Sequence, residues 1–500
     1  MNAPFAIRLR DKATGQYYAP ARAEEPLKAS PVYEGASQQP RLVRWTGHYG
    51  GPNSALSAGI GSLRSRSRDR RRNDGVADAG IETLVSNLVG TGIKPQFNTK
   101  DSGLNKDLSE LWEEWTDEAD AEERLDFYGL QYLAAVAMVE AGDVFIRLRT
   151  RRPEDRLPVP LQMQVLEAEY VPSDKTESIP GGWIQNGIEF NGIGRRVAYH
   201  MHRDHPNDNS RAFDGILLSR IPAQDVVHLA VPRRPGLVRG EPWLARALVK
   251  LHDLDQVDDA MVLKTKIQNL FTGWVSGSVE GAFAWQGAAD AGGLAVAPAE
   301  PGAVQQLPAG STINWNDPPD VGANYEPFMK GQMRRVAASI GILYEQLTGD
   351  YSQVNDRVWR AAINEFVRRI EHIQHHIIVY QMCRPIVARW VDTAILSGAI
   401  RLPSGVTAKR AAMPKWVPQA RPYINPVQDV EAKTAEVRAG FKSREATVSA
   451  MGDDVEQIDA ETARDRERER RLGLTYDTSA EAKPAATQIK EEPQNAGPSR

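Results

Sequence analysis

Residues 340–357 read IGILYEQLTGDYSQVNDR. Helical spacing runs into this stretch from Asn324 to Leu347, breaks at Thr348–Gln353, and resumes from about Asp356 to Leu396. The break, Leu347-Thr348-Gly349-Asp350-Tyr351-Ser352-Gln353, combines a glycine with short polar groups. Downstream of it Ala362, Phe366, Ile370, Ile373 and Ile377 hold an apolar stripe. Pro385 is expected to kink this run, because proline removes an amide donor and crowds the preceding turn. From its residues alone the break is a helix–helix connection.

Upstream, Glu241–Phe271 is a second long helical stretch, with Pro242 suited to a first turn. Between the two runs, Gly273–Pro319 is dominated by Gly, Ala and Pro, and its short apolar pieces suggest strands in a projecting module. Earlier still, three amphipathic helices are expected at Val76–Val89, Asn105–Ala119 and Tyr128–Ala141, the first stopped by Gly90 and Gly92. The period then changes. Val144–Arg149, Leu161–Leu166, Gly182–Phe190, Arg196–Met201 and Asp225–Val231 read as short strands of an antiparallel sheet packed by those helices. Residues 1–60 read as an extended arm, and Val427–Gly440, Ser443–Met451 and Asp454–Leu472 as a charged helical end. Ser479–Arg500 has the composition of a disordered tail. The fold class is α+β.

The chain has 500 residues, too many for one comfortable core, and a formal net charge of −4. That balance gives no argument for a conventional nucleic-acid binder with a basic footprint. One cysteine, Cys383, rules out an internal disulfide framework and fits a reducing compartment. The uncharged run Phe127–Val139 falls short of the roughly 20 residues a bilayer needs, so no membrane association is expected. Met1–Ala13 lacks the apolar core of a signal peptide.

Catalytic signatures are missing: no phosphate loop, no G-x-S-x-G elbow, no H-E-x-x-H and no C-x-x-C. His372, His375 and His376 include an i, i+4 pair of the kind that binds metal, but the simpler reading is a polar helix face beside Glu371 and Gln374. Asp253, Asp255, Asp258 and Asp259 share a helix and are better read as solubilising carboxylates than as a cation site. His200, His202 and His205 lie near Asp204 and Asp208; strand alternation puts His200 and His202 on one face, as a surface zinc site would need, but an exposed strand end entering the Pro206-Asn207 turn is the better reading. Neither an enzyme, nor a cofactor, nor a metal is expected. The rival reading is a metal-dependent nuclease or phosphoesterase built on Asp253, Asp255, Asp258 and the histidines. Arg64, Arg66, Arg68, Arg70, Arg71 and Arg72 form a dense basic block. It could touch phosphates through forked donors, or pair with acidic neighbours across an interface; with no interleaved aromatics, interface or surface is favoured.

Several segments together resemble one known family. DAGIETLVSNLVGTGIK (Asp78–Lys94), IPAQDVVHLAVPRRPGLVRGEPW (Ile221–Trp243), Leu307-Pro308-Ala309-Gly310 followed by Asn324–Phe328, and IGILYEQLTGD (Ile340–Asp350) are similar, in order, to segments of lambda-family bacteriophage portal proteins. Asn425-Pro426 and Ala439-Gly440-Phe441-Lys442-Ser443 continue the likeness, which runs from about residue 40 to 475. The alternative within structural proteins is another phage head–tail adaptor.

The resemblance implies a homo-oligomeric ring, usually of twelve subunits, at one capsid vertex of a virion assembled in the host cytoplasm. Double-stranded DNA would enter and leave through its channel. The terminase large subunit, major capsid or scaffold proteins, and head-completion proteins would be partners. It also implies a portal-protein fold: an N-terminal arm (1–60), an α/β wing (61–240), a wing/stem helix (241–272), a small β-containing clip (273–320), a stem helix (321–347), a long wing helix (358–399), a helical crown (400–478) and a tail (479–500). Thr348, Gly349, Asp350, Tyr351, Ser352, Gln353, Asn355 and Arg357 would belong to a tunnel loop (348–357) facing DNA. A channel that must release DNA should not be strongly basic, because each neutralised phosphate adds salt-dependent affinity.

Overall fold

A computed structural model of the chain describes residues 9–10, 14, 17–18, 50–208, 218–270, 273–276, 312–315, 325–420, 426–453 and 455–474. Contacts divide it into Met1–Gly51 and Pro52–Arg500. In the first unit β1 (Leu9–Arg10) pairs antiparallel with β2 (Tyr17–Tyr18).

The second unit opens with α1 (Pro52–Ser57) and α2 (Ile60–Asn73). The arm expected to reach residue 60 is therefore helical from Pro52, whose fixed φ suits a first turn. Asp74 separates α2 from α3 (Gly75–Leu88): its backbone is extended, and its carboxylate accepts from the amides of Val76 (2.9 Å) and Ala77 (3.3 Å). After β3 (Lys94–Gln96), α4 (Ser102–Thr116) and α5 (Phe127–Ala141) are capped in the same way by Asp101 and Asp126. Their apolar faces, with Ile81, Leu84, Leu108, Trp115, Leu130 and Met138 all buried, make one continuous core. Each such side chain contributes about 1.5–3 kcal/mol on burial. Trp112 sits at its centre, 5.0 Å from Phe127 and 5.1 Å from Trp390 between ring centroids, both edge-on.

The strands follow: β4 (Asp143–Thr150), β5 (Leu161–Leu166), β6 (Glu177–Ile179), β7 (Gly182–Gln185), β8 (Ile188–Asn191), β9 (Arg196–Met201), β10 (Ser219–Pro222) and β11 (Val226–Ala230). They form two antiparallel sheets, β11-β4-β5 and the meander β6 to β10. Alternation along β4 sends Val144, Ile146 and Leu148 into the helical core, and Phe145 into a second core with Leu166, Ile188, Tyr199 and Val226.

The helix expected from Glu241 starts later. Trp243–Arg246 is a 3-10 turn behind Pro242, and α6 spans Leu248–Leu270. β12 (Gly273–Ser276) pairs antiparallel with β13 (Thr312–Trp315); the rest of the expected module lies outside the described residues. α7 (Tyr325–Ile340) stops at Gly341 (φ 96°), so the expected run to Leu347 is broken by a short α8 (Tyr344–Thr348). The positive φ is what calls for glycine there; a Cβ would also displace the mobile end of Arg369, which donates to the Gly341 carbonyl. α9 (Asp356–Ile373) gives way to a π-helical stretch, Gln374–Cys383, before α10 (Arg384–Ser397). The expected proline kink is thus a widened helix ending two residues before Pro385, whose missing amide would otherwise bond the Gln381 carbonyl. Gln374 donates to the carbonyls of Asn87 and Leu88, satisfying the end of α3. α11 (Ala408–Ala411) leads to β14 (Lys415–Val417), paired with β3; α12 (Pro426–Arg438), α13 (Arg444–Ala450) and α14 (Val455–Leu472) follow. The tail from Ser479 lies outside the described residues. Among the described residues no helix is long and apolar enough to cross a membrane.

Candidate functional site

The break that organises the C-terminal helices is built around Asp350. Gly349 (φ 70°) closes α8 in the left-handed region. The Asp350 carboxylate then accepts from the Ser352 amide (3.1 Å), the Ser352 hydroxyl (2.5 Å), the Tyr344 hydroxyl (3.1 Å) and the Lys330 ammonium (3.4 Å). The Ser352 bonds first, aided by Tyr344 and Lys330, hold its carboxyl down at about 2. Lys330 also donates to Gln353 (3.3 Å), Tyr351 packs edge-on against Trp359 at 5.4 Å, and Asn355 caps α9 through the Arg357 amide. Thr348, Gly349, Tyr351, Ser352, Gln353, Asn355 and Arg357 are exposed, while Asp350 is half-buried. The eight expected loop residues therefore form one compact connection. Lys330 and Tyr344 belong to it too, although nothing local in the sequence ties residue 330 to residue 350.

The arginine block lies on α2 and is largely spent on carboxylates of the same chain. Arg64 is buried and bonds Asp143 at 2.6 Å and the Ala141 carbonyl at 3.0 Å, so its expected role at a surface or interface is corrected. Arg68 grips Glu169 through two bonds (2.7 and 2.8 Å) and reaches Glu167. Arg70 meets Asp255, and Arg71 meets Asp78, Glu82 and Glu140. Arg66 and Arg72 are exposed.

Asp143 is the hub that the sequence did not announce. Its buried carboxylate accepts from Arg64, Arg239 Nε (2.6 Å), the Gly240 amide (3.2 Å) and His228 (3.3 Å). Arg239 spends its other donors on the carbonyls of Val171, Asn186 and Ala168. Burial would raise the Asp143 carboxyl, but Arg239 and Arg64 outweigh it and hold it well below the usual range. Burial, opposed by Asp143, pushes His228 down to about 4, so it is neutral at pH 7. The group has no substrate-accessible atom and joins both cores to α2.

The remaining clusters make contacts within the chain. Asp255 is tied to Arg70, and Asp258 accepts from the Tyr325 hydroxyl. His200 bonds Glu189, and His205 bonds Glu167. His372 and His376 pack ring to ring, 4.9 Å between centroids, on an exposed helix face. Among the described residues only Glu167, Glu169 and His205 gather with metal-ligand spacing, and the Arg68 guanidinium already occupies both carboxylates.

The described residues define a mixed helix-and-sheet protein with a polar loop between two of its helices. The family model for phage portal protein, lambda family, matches residues 38–374, most of the chain. The chain belongs to that family. It is similar to the "Probable portal protein" of Halomonas phage phiHAP-1 (23% identical, over 94% of this chain and 92% of the relative). It is also similar to "Portal protein B" of Escherichia phage lambda (20%, over 87% and 89%). Among solved structures, a chain in the neck of a native gene transfer agent particle, computed with C12 symmetry, aligns at 14% identity and TM-score 0.44, covering 79% of this chain and 93% of that chain.

Proposed function

We propose that this chain assembles into a closed portal ring at one capsid vertex and serves as the conduit for double-stranded DNA during packaging and ejection. The observation that carries the reading is the Asp350-centred loop inside the family-matched span, placed after the succession α6, β12–β13, α7. In this reading Thr348–Arg357 faces the duplex. Its exposed groups are mostly hydroxyls and amides, and its carboxylate stays ionised at every physiological pH, so it touches phosphates without gripping them. Arg66 and Arg72 are the two members of the basic block left to reach phosphate or a neighbouring copy.

The module carrying β12 and β13 is the docking site for the terminase large subunit and later for head-completion proteins. The helices from α12 onward form the crown, capsid or scaffold proteins surround the wing, and the protein resides in the virion. Replacing Asp350–Asn355 with a short Gly linker tests the loop's role. Rings should still form while packaged DNA per head falls, and unchanged packaging would refute the assignment.

A further inference from the structure

The turn between β8 and β9, Gly192-Ile193-Gly194-Arg195, is held in shape by Asn191. The Asn191 side-chain oxygen accepts from the amides of Ile193 (3.2 Å) and Arg195 (2.8 Å). Its carbonyl accepts from the Gly194 amide (2.9 Å), and its own amide donates to the Arg195 carbonyl (2.9 Å). The turn so fixed leaves Ile193 88% exposed. A single exposed isoleucine is ordinary. This one has an apolar neighbour, because a Cβ on Gly194 would lie 3.9 Å from the ring of Trp183. Trp183 is itself 37% exposed and stacks on Phe190 at 5.7 Å between centroids. Arg195 and Arg196 follow, both exposed, and among the described residues neither pairs with a carboxylate; Arg196 meets only His228, at 3.4 Å. The turn is thus a rigid apolar knob with a cationic edge.

The complementary feature is a groove of about 600 Å³ along α5. Tyr128, Tyr132 and Val136 line it, together with Leu125 and Leu133, which are 41% and 42% exposed. Arg71 also reaches the groove, but its charge is answered by Asp78, Glu82 and Glu140. The loop leading into α5 carries Glu122, Glu123 and Asp126 against one cation, Arg124, all of them exposed. Knob and groove lie on opposite sides of the sheet β11-β4-β5. Val144, Ile146 and Leu148 of β4 pack toward α5, whereas Phe145 packs toward Ile188 and Tyr199 of the meander that bears the turn. α5 buries Leu130, Ala134 and Met138 in the core it shares with β4, and Leu133 lies on its other face. The knob therefore cannot fill the groove of its own copy.

We propose that Ile193 of one copy, with Trp183 behind it, seats in the α5 groove of the next, where Arg195 and Arg196 meet the acids at the groove's mouth. This inference rests on the ring reading. Two different faces on opposite sides of a subunit make a heterologous contact, which closes into a ring when the rotation per copy allows. An apolar anchor seated in a pocket supplies affinity, and the opposite charges around it steer the encounter, so added salt slows assembly.

The test uses full-length protein, native mass spectrometry for ring state and circular dichroism for fold. Ile193→Asp and Leu133→Asp alter exposed positions, so each should fold yet raise the concentration needed for rings by at least about tenfold. A second measurement does not depend on weakening the contact. In the double variant Ile193→Cys with Leu133→Cys, a short bismaleimide should join successive copies into a ladder of dimers, trimers and larger species on denaturing gels. Each single cysteine change, and the wild type with its buried Cys383, should give no ladder. If the aspartate variants fail to fold, the cysteine pair decides alone. Wild-type protein that never forms rings defeats the ring reading itself. Wild-type rings with no ladder, or with dimers only, overturn this contact alone. Aspartate variants that fold and assemble like the wild type also overturn it. So do variants with intact rings that no longer enter capsids, which would assign the knob to a capsid protein.

Discussion

Arg239 Nε donates to the Asp143 carboxylate at 2.6 Å, with both side chains withdrawn from solvent. The two residues lie nearly a hundred positions apart, on the segment after β11 and at the start of β4, and each is held by further bonds. Removing one partner strands a buried charge, so Arg239→Met and Asp143→Asn should each destabilise the folded subunit by roughly 3–5 kcal/mol. Urea denaturation followed by circular dichroism measures it; a loss under about 1 kcal/mol would show that the pair is dispensable.

His228, stacked on Phe145, gives the same cluster a pH signature. Its folded pKa is lowered to about 4 from the ordinary 6.5, so the unfolded chain binds the proton more readily. The stabilisation is therefore complete above pH 6.5 and declines as pH falls toward 4, at up to about 1.4 kcal/mol per pH unit. His228→Gln should flatten the stability profile across that window. An unchanged slope would assign it to other groups.

Gly142 and Gly240 pass backbone to backbone, and a Cβ on Gly240 would lie 1.8 Å from the Gly142 carbonyl oxygen. Gly240→Ala should cost on the order of 3 kcal/mol or more, because only main chain could yield. Gly405→Ala, with a positive φ of 93° and open space around it, should cost less. Thermal melts of the two variants side by side decide the order.

Asp350→Ala removes the group that Ser352, Tyr344 and Lys330 share. Ring assembly should be unchanged while packaging falls, and limited proteolysis should cut within 348–357 faster than in the wild type. Protection equal to the wild type would show that the loop keeps its shape without Asp350.

The local parts of this architecture were legible because periodicity is local. Ile81, Leu84 and Leu88 announce α3, whereas the caps Asp101 and Asp126 start α4 and α5 before the expected Asn105 and Tyr128. The Asp143 cluster was not, since Arg64, Asp143, His228 and Arg239 approach one another only after both sheets form. Arginines read in sequence as an interface or surface block are answered by acids such as Glu169 about a hundred residues away. The π-helical stretch escaped as well: Gln374–Cys383 carries ordinary helix formers, and only the downstream Pro385 hints at strain. Within the candidate loop, Gly349 and Asp350 were readable as a break, whereas Lys330 entered through the packing of α7.

The most direct measurement is the imaging of purified full-length protein by negative-stain microscopy, with native mass spectrometry for the copy number. A portal subunit yields closed rings with a central hole, whereas a stable monomer under every assembly condition would contradict the conduit function.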